Sequence, residues 1–311
     1  MKNNIQGLHH ITAIAGGAKK NYDFYTRVLG LRMVKKTVNF DDPFTYHFYY
    51  GDRVGTPGSI LTFFPWEGIT AGRRGSRQAT EIGYSVPENS FDFWLKRFEA
   101  NNVIFNKPAE KFGEQYLTFL DPDGLKLELI TPKTPDNRLP WETGEVTAEH
   151  ATKGFHNVTI TTNQLQPTAD VLTGIFGYKL AEQHVNRFRF VTGAAGNANI
   201  VDVVEVPGEP IGHVAGGSVH HVAFRVENDQ VLMEFRNKIV AAGLHITEKI
   251  DRNYFYSLYF REPGGVLFEI ATDNPGFTID ERIEELGTGL KLPARYEHIR
   301  EDISSKLPKL I

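Results

Sequence analysis

Residues 219–226 read VHHVAFRV, and the same arrangement stands near the start of the chain as LHHITAI at residues 8–14. Two more stretches share the pattern, TEIGYSV from Thr80 and FHNVTI from Phe155, so one strand-like opening recurs four times in 311 residues. Each opening leads into apolar residues at helical spacing: Phe24, Tyr25 and Val28; Phe91, Trp94, Leu95 and Phe98; Val171, Leu172 and Ile175; Val231, Leu232, Phe235 and Ile239. Gly30, Gly177 and Gly243 lie at or near the ends of these segments, where a left-handed residue closes a helix most easily without a Cβ. The second and fourth copies also match at their close. FLDPDGLKLELI (119–130) lies over FREPGGVLFEI (260–270), pairing Pro122 with Pro263, Gly124 with Gly265 and Glu128 with Glu269. A Pro and a Gly in an acidic turn before alternating residues read as a tight hairpin feeding a last strand.

The unit is therefore strand, helix, three strands, and the fold class is α+β: four βαβββ modules paired into two cup-shaped mixed sheets. The N-terminal half spans 1–133, with modules at about 5–67 and 78–133, and the C-terminal half spans 154–273, with modules at about 154–206 and 217–273. Between them, 134–153 is aperiodic and rich in Pro, Thr and charge, the composition of a linker. The tail, 274–311, belongs to no repeat; a helix is expected around Arg295 to Leu307, packed on the body.

Composition narrows the chemistry. Hydrophobic residues make up 41% and aromatics 12%, the balance of a packed protein, and a net charge of -4 offers no basic stripe to nucleic acid, so a small molecule is the expected partner. With no cysteine, His and carboxylates are the only strong metal ligands available. No apolar signal core opens the chain and no run of about 18 apolar residues follows, so no membrane association is expected and the cytoplasm fits best. Nothing in the sequence fixes the oligomeric state; a homo-oligomer is compatible with it.

Aligning the modules places His10, Glu81, Asn157 and His221 at one position of the first strand, and Glu128 and Glu269 at one position of the last. Two imidazoles and one carboxylate form the facial triad that leaves coordination positions open on iron(II), and His10, His221 and Glu269 supply that set. A single His at a strand end is more often a hydrogen-bonded core residue; three equivalent positions converging on a ligand set, one of them a carboxylate that is costly to bury, point to a metal. Pairing the first module with the fourth gathers all three in one cup and leaves Glu81, Asn157 and Glu128 as a degenerate twin without imidazole. The rival pairing, third with fourth, offers His221, Glu269 and either His156 or Asn157.

His9 and His220 precede the ligands, and strand alternation turns them to the opposite face, where they can orient a neighbour by hydrogen bonding. Thr12, two residues past His10, points into the cup. Tyr259 and Arg252 stand where the second module has Thr118 and Lys111. AGRRGSR (71–77) reads as a solvated loop, GAAGNAN from Gly193 as a hairpin turn, and His47 as a core residue or a neighbour of the ligands.

With these residues in place, the chain resembles the vicinal oxygen chelate superfamily over nearly its whole length. LHHITAI, HFYYGD, VHHVAF and DRNYFYSLYFREPGGVLFEIATDNPGF are most similar to the ring-cleaving dioxygenases that act on hydroquinones. The resemblance implies one Fe(II) per chain, which Zn, Mn or Ni can replace, held by His10, His221 and Glu269. It also implies that His9, Thr12, His220 and Arg252 surround the ligands, that Tyr259 stands beside the metal, and that an aromatic substrate and O2 are the partners, in aromatic degradation or detoxification. Two alternatives stay open: a glyoxalase-like lyase or isomerase, and a cup that binds aromatic compounds without catalysis.

Overall fold

The computed structural model describes residues 4–310. The first module runs β1 (Leu8–Ala15), α1 (Ala18–Asp23), β2 (Arg32–Val38), β3 (Tyr46–Gly51) and β4 (Ile60–Pro65); the second runs β5 (Gln78–Ser85), α2 (Phe91–Ala100), β6 (Ala109–Lys111), β7 (Glu114–Leu120) and β8 (Lys126–Thr131). The third comprises β9 (Phe155–Thr162), α3 (Leu165–Asp170), β10 (Lys179–His184), β11 (Arg187–Val191) and β12 (Ile200–Glu205). In the fourth, β13 (Ser218–Val226), α4 (Asp229–Ala241), β14 (Ile250–Asp251) and β15 (Phe255–Arg261) precede β16 (Leu267–Pro275). In the first and third modules the helix widens into a π-helical turn, Phe24–Val28 and Val171–Ile175, before its closing glycine. Gly30 takes φ +70°, and a Cβ there would come within 2.9 Å of the Val146 side chain, so the linker seals that helix end by close approach.

Two eight-stranded sheets result. One has the order β14-β15-β16-β13-β1-β4-β3-β2, the other β10-β11-β12-β9-β5-β8-β7-β6. The first module thus shares a sheet with the fourth and the second with the third, which removes the rival pairing of third with fourth. In the first sheet β1 and β13 are antiparallel and form the seam, flanked by β4 and β16 running parallel to them. Every residue of β1 is buried, because one face packs on the core while the other lines the cup. The core runs through both halves, from Leu8, Ile11 and Phe63 through Ile82, Trp94 and Phe119 to Val158, Phe176, Phe224 and Phe268.

GAAGNAN lies between β11 and β12, the place of a hairpin turn, and Arg73, Arg74 and Arg77 of AGRRGSR are all exposed. The single tail helix expected over 295–307 is split into a 3-10 turn, Ala294–Ile299, and α5 (Arg300–Lys306). The tail covers edge strand β2: Leu290 bridges to Lys36, Ile303 and Leu307 bury against Val38, and the fully buried Lys35 pairs with Asp280 and Glu281. Arg295 and Tyr296 both donate to the carbonyl of Phe40, pinning the loop between β2 and β3. Among the described residues no helix is long and apolar enough to cross a membrane.

Candidate metal centre

Strand register puts the candidate ligands on one surface. Thr12 pairs with His221 across the seam, Glu269 pairs with Ala223 on one side and Tyr259 on the other, and His10 pairs with Ala223. Side chains two apart share a face, so His10, Thr12, His221, Glu269 and Tyr259 all meet in the cup. One ligand atom from each of His10, His221 and Glu269 lies within 4.8 Å of the others. The Glu269 Oε2 is 3.2 Å from His10 Nε2 and 2.9 Å from His221 Nε2, yet neither approach has hydrogen-bond geometry, and both carboxylate oxygens lack a hydrogen-bond partner. A buried carboxylate with no donor is expensive. Three converging ligand atoms, the carboxylate among them left without a donor, fit a divalent cation at their centre, and two imidazole nitrogens with one carboxylate oxygen suit iron, zinc, manganese or nickel.

The second histidine doublet corrects the alternation argument, while His9 of the first lines a separate cavity. β1 carries one extra residue at His9 and β13 one extra at His220, a β-bulge in each strand at the doublet. Bulges break strict alternation and re-aim side chains. Neighbouring imidazoles therefore meet, Nδ1 to Nδ1, at 2.9 Å for His9 and His10 and 2.8 Å for His220 and His221. His220 lines the same cavity as His221 rather than the far side of the sheet.

Hydrogen bonding then fixes tautomers in the first doublet. His9 Nε2 lies 3.1 Å from the Thr272 carbonyl, which can only accept, so the His9 proton sits on Nε2 and its Nδ1 is a lone pair. His10 must donate from Nδ1, which leaves the lone pair of His10 Nε2 aimed at the cluster. Burial, then His10, keeps His9 neutral, its pKa well below the ordinary 6.5. The second doublet is not anchored in this way: His220 Nε2 has no partner among the described residues. Burial and His221 lower its pKa to about 4, so it too is neutral at pH 7.

Above the cluster is a cavity of about 330 Å³ whose walls include Phe40, His47, Tyr49, Phe64, Trp66, Arg252, Phe255 and Tyr259. Phe255 packs on both His9 and His10, at 5.1 and 4.9 Å between ring centres. Tyr259 lies edge-on to His221 at 5.5 Å, with the Arg252 guanidinium 5.3 Å from its ring. Burial and Glu269 push the Tyr259 phenol well above its ordinary pKa, so it is a proton donor at neutral pH. Arg252 also approaches Asp41 at 3.7 Å, and its Nε is buried without a partner among the described residues. Sequence reasoning passed over Phe40, Tyr49, Thr62, Phe64, Trp66 and Phe255.

The other cup shows what the same positions do without imidazole. Glu81 is paired with Lys126 at 2.5 Å and Arg187 at 3.0 Å, Glu128 is paired with Lys111, and Asn157 donates to Asp202. Arg189 spans Asp202 and Glu114 at 2.9 and 2.5 Å, and Glu114 also meets His156 at 3.0 Å. Side-chain cations fill the place where the first cup leaves its carboxylate bare.

A sequence model of the Glyoxalase/Bleomycin resistance protein/Dioxygenase superfamily matches residues 7–129 and 154–270. The chain belongs to this superfamily. The two matched segments are the two halves of the chain, modules one and two and modules three and four. Within the superfamily the chain is 44% identical over 309 residues to “Putative ring-cleaving dioxygenase MhqO” of Bacillus subtilis (strain 168), covering 99% of this chain and 97% of that one. It is 34% identical over 306 residues to the chlorohydroquinone/hydroquinone 1,2-dioxygenase of Sphingobium indicum, covering 96% and 95%. A crystal structure of a “putative dioxygenase” from Bacillus subtilis subsp. subtilis str. 168 superposes with a TM-score of 0.95 at 43% identity, covering 99% of this chain and 98% of that one.

Proposed function

We propose that the protein is a non-haem Fe(II) dioxygenase that cleaves the ring of a hydroquinone-type diol with O2, with His10, His221 and Glu269 as the iron ligands. The observation that carries this reading is the buried Glu269 carboxylate, both oxygens unpartnered, facing two imidazole nitrogens beneath an aromatic cavity. Full-length similarity to proteins named as ring-cleaving dioxygenases, one named for hydroquinone, supports the reaction class. Bound iron(II) supplies Lewis acidity toward a phenolic oxygen and electrons toward O2. The chain supplies the rest. His9, held by Thr272, fixes the His10 ring so that Nε2 stays a lone pair. Phe64, Trp66 and Phe255 offer ring faces to an aromatic substrate.

A catechol can chelate through adjacent oxygens; a hydroquinone offers one oxygen at a time, so the protein must orient the ring. Tyr259 and Arg252 take that role, the phenol as donor and the unpartnered Arg252 Nε as a contact for developing negative charge. His220 Nε2 and the Thr12 hydroxyl complete the polar wall. The lyase reading is weaker because glyoxalase-type sites commonly recruit a fourth protein ligand, whereas three residues converge among those described. The test is oxygen uptake by anaerobically iron-loaded protein with a panel of hydroquinones, catechols and a hemithioacetal. Uptake with hydroquinones is the expected result; isomerisation of the hemithioacetal without uptake overturns the reading.

A further inference from the structure

One wall of the cavity contains a hydrogen-bonded chain that the ligand chemistry does not use. Tyr49 Oη is 3.0 Å from His47 Nδ1, His47 Nε2 is 2.9 Å from Thr62 Oγ1, and Thr62 Oγ1 is 2.8 Å from Thr12 Oγ1. With His47 neutral, each member carries one polar hydrogen, and three bonds consume three of the four. One hydrogen is left over, and whenever Thr62 donates within the chain it lies at an end. Either Thr12 presents a donor and Tyr49 a lone pair, or Thr12 presents the lone pair and Tyr49 the donor. Both ends border the same cavity. Thr12 lies between the ligands, opposite His221 in register and two residues from His10. The Tyr49 end is electrostatically coupled to Tyr259, Arg252 and Glu269.

The second cup supplies an internal comparison. Register equates Thr12, Thr62, His47 and Tyr49 with Thr159, Asp202, Arg187 and Arg189. There Arg187 donates to Thr159 Oγ1 at 2.9 Å and also reaches Glu81, which occupies the ligand position. Fixed charges at three of those four positions, Asp202, Arg187 and Arg189, set the bonding direction there. In the first cup all four groups are uncharged and reversible.

We propose that Thr12, Thr62, His47 and Tyr49 form a proton relay that removes the hydroxyl proton of a phenolic substrate beside the ligands and delivers it at Tyr49. The inference rests on the aromatic-diol reading above. In the accepting state, the substrate O–H bond breaks and its proton forms a bond to Thr12 Oγ1. The Thr12 hydrogen passes to Thr62 Oγ1, the Thr62 hydrogen to His47 Nε2, the His47 Nδ1 hydrogen to Tyr49 Oη, and the Tyr49 hydrogen to water in the cavity. Every member ends with one hydrogen, no charge stays in the wall, and Thr12 now donates to the phenolate it has created. The surroundings favour uncharged members: burial, then His10, His221 and Arg252, keep His47 neutral against the pull of Glu269, and burial holds the Tyr49 phenol protonated.

The test is anaerobic stopped-flow mixing of iron-loaded protein with hydroquinone in weak buffer containing a pH indicator, so that binding is followed without ring cleavage. Wild type is expected to release about one proton per site, more slowly in D2O. Thr62→Val and Tyr49→Phe, at unchanged iron content, are expected to slow release at least tenfold, while Thr62→Ser restores the wild-type rate and its isotope effect. Tyr49→Phe keeps the test open if Thr62→Val fails to fold. Unchanged release rates in the folded variants, or no proton release by wild type, overturn the relay. Oxygen uptake is measured separately: its absence while relay-dependent release persists removes the dioxygenase reading and leaves the relay standing.

Discussion

Replacing His9 with Phe tests whether a residue that never touches the metal sets its affinity. His9 does two things: its Nδ1 accepts the His10 Nδ1 proton at 2.9 Å, and its Nε2 donates to the Thr272 carbonyl at 3.1 Å. Phenylalanine keeps the ring contact with Phe255 but removes the acceptor, leaving a buried His10 N–H unsatisfied and the imidazole free to turn or change tautomer. Loss of such a partner typically weakens metal binding 10- to 100-fold, which is ~1.4–2.7 kcal/mol. The lost bonds should also lower apo stability by about 1–3 kcal/mol. Chelator competition with Fe(II) or Zn(II) reads the first effect and urea unfolding of the apoprotein the second, so the two are separable. His220→Phe is the control: its position is half-buried, so water can replace it as acceptor, and less than tenfold of affinity should be lost. A folded His9→Phe protein that binds metal within threefold of wild type, or a larger loss in His220→Phe, refutes the tautomer argument.

Ala at His10, His221 or Glu269 is expected to abolish iron binding, as metal analysis after anaerobic loading reads directly; full occupancy in any one of them removes that residue from the ligand set. Glu128→Ala should keep turnover while losing ~3–5 kcal/mol of stability, because it strands the buried Lys111 without its partner; lost turnover with fold and iron intact would show that the second cup has a function. Glu81 and Glu114 are each held at about 2 against an ordinary 4.5: burial opposes this, but Arg187 and Lys126 act on Glu81, and His156 and Arg189 on Glu114. Because the folded values are depressed, that stability is fully present above pH 4.5 and is lost as pH falls toward 2. It is worth up to roughly 3 kcal/mol for each carboxylate, and denaturation curves of Glu114→Gln that keep the wild-type pH slope contradict it. Tyr259→Phe and Arg252→Ala should each reduce kcat/KM for hydroquinone by about 10²–10⁴ with a smaller effect on catechol; equal effects on both diols argue against an orienting role.

The modules were legible because each opens with a strand of fixed pattern and two of them close on the same Pro-Gly turn. The pairing of first with fourth was legible only through chemistry. No hydrophobic period states which sheets merge, but scattering imidazole and carboxylate between cups leaves buried charge unmatched, and the observed strand order keeps His10, His221 and Glu269 together. His220 was misread because alternation presumes an unbroken ladder, whereas His9 lines a different cavity from His10. An extra residue in one strand is invisible without its partner's register, and here both strands of the seam carry one. The aromatic wall was missed for another reason: Phe64, Trp66 and Phe255 have the composition of core residues, and only the curl of the sheet distinguishes a ring facing a cavity from one facing the interior. The tail divides at Ile299, where the 3-10 turn held by Arg295 and Tyr296 on the Phe40 carbonyl of the loop after β2 gives way to α5.

Taken together, the two cups are two solutions to one electrostatic problem. Each sheet buries a carboxylate at the equivalent position of its last module strand, Glu128 or Glu269, and neither can stay uncompensated at low dielectric. The second cup answers from within: Lys111 takes Glu128, Lys126 and Arg187 take Glu81, and Arg189 bridges Asp202 and Glu114. Those bonds satisfy the charges and fill the space, so this cup contributes to rigidity. The first cup withholds such cations. Its nearest one, Arg252, lies over the Tyr259 ring and not on Glu269, and the positions that carry arginine in the twin carry His47 and Tyr49 here. Compensation must then come from outside the chain as a metal ion, and the space that the arginines would occupy becomes the cavity. A binding site is thus produced by subtraction. It follows that His47→Arg, which writes the second cup's residue into the first, should place a fixed positive charge at the ligand positions, as Arg187 lies against Glu81 in the twin, and weaken or exclude the metal. Unchanged iron affinity in a folded His47→Arg protein would show that the two cups do not share this logic.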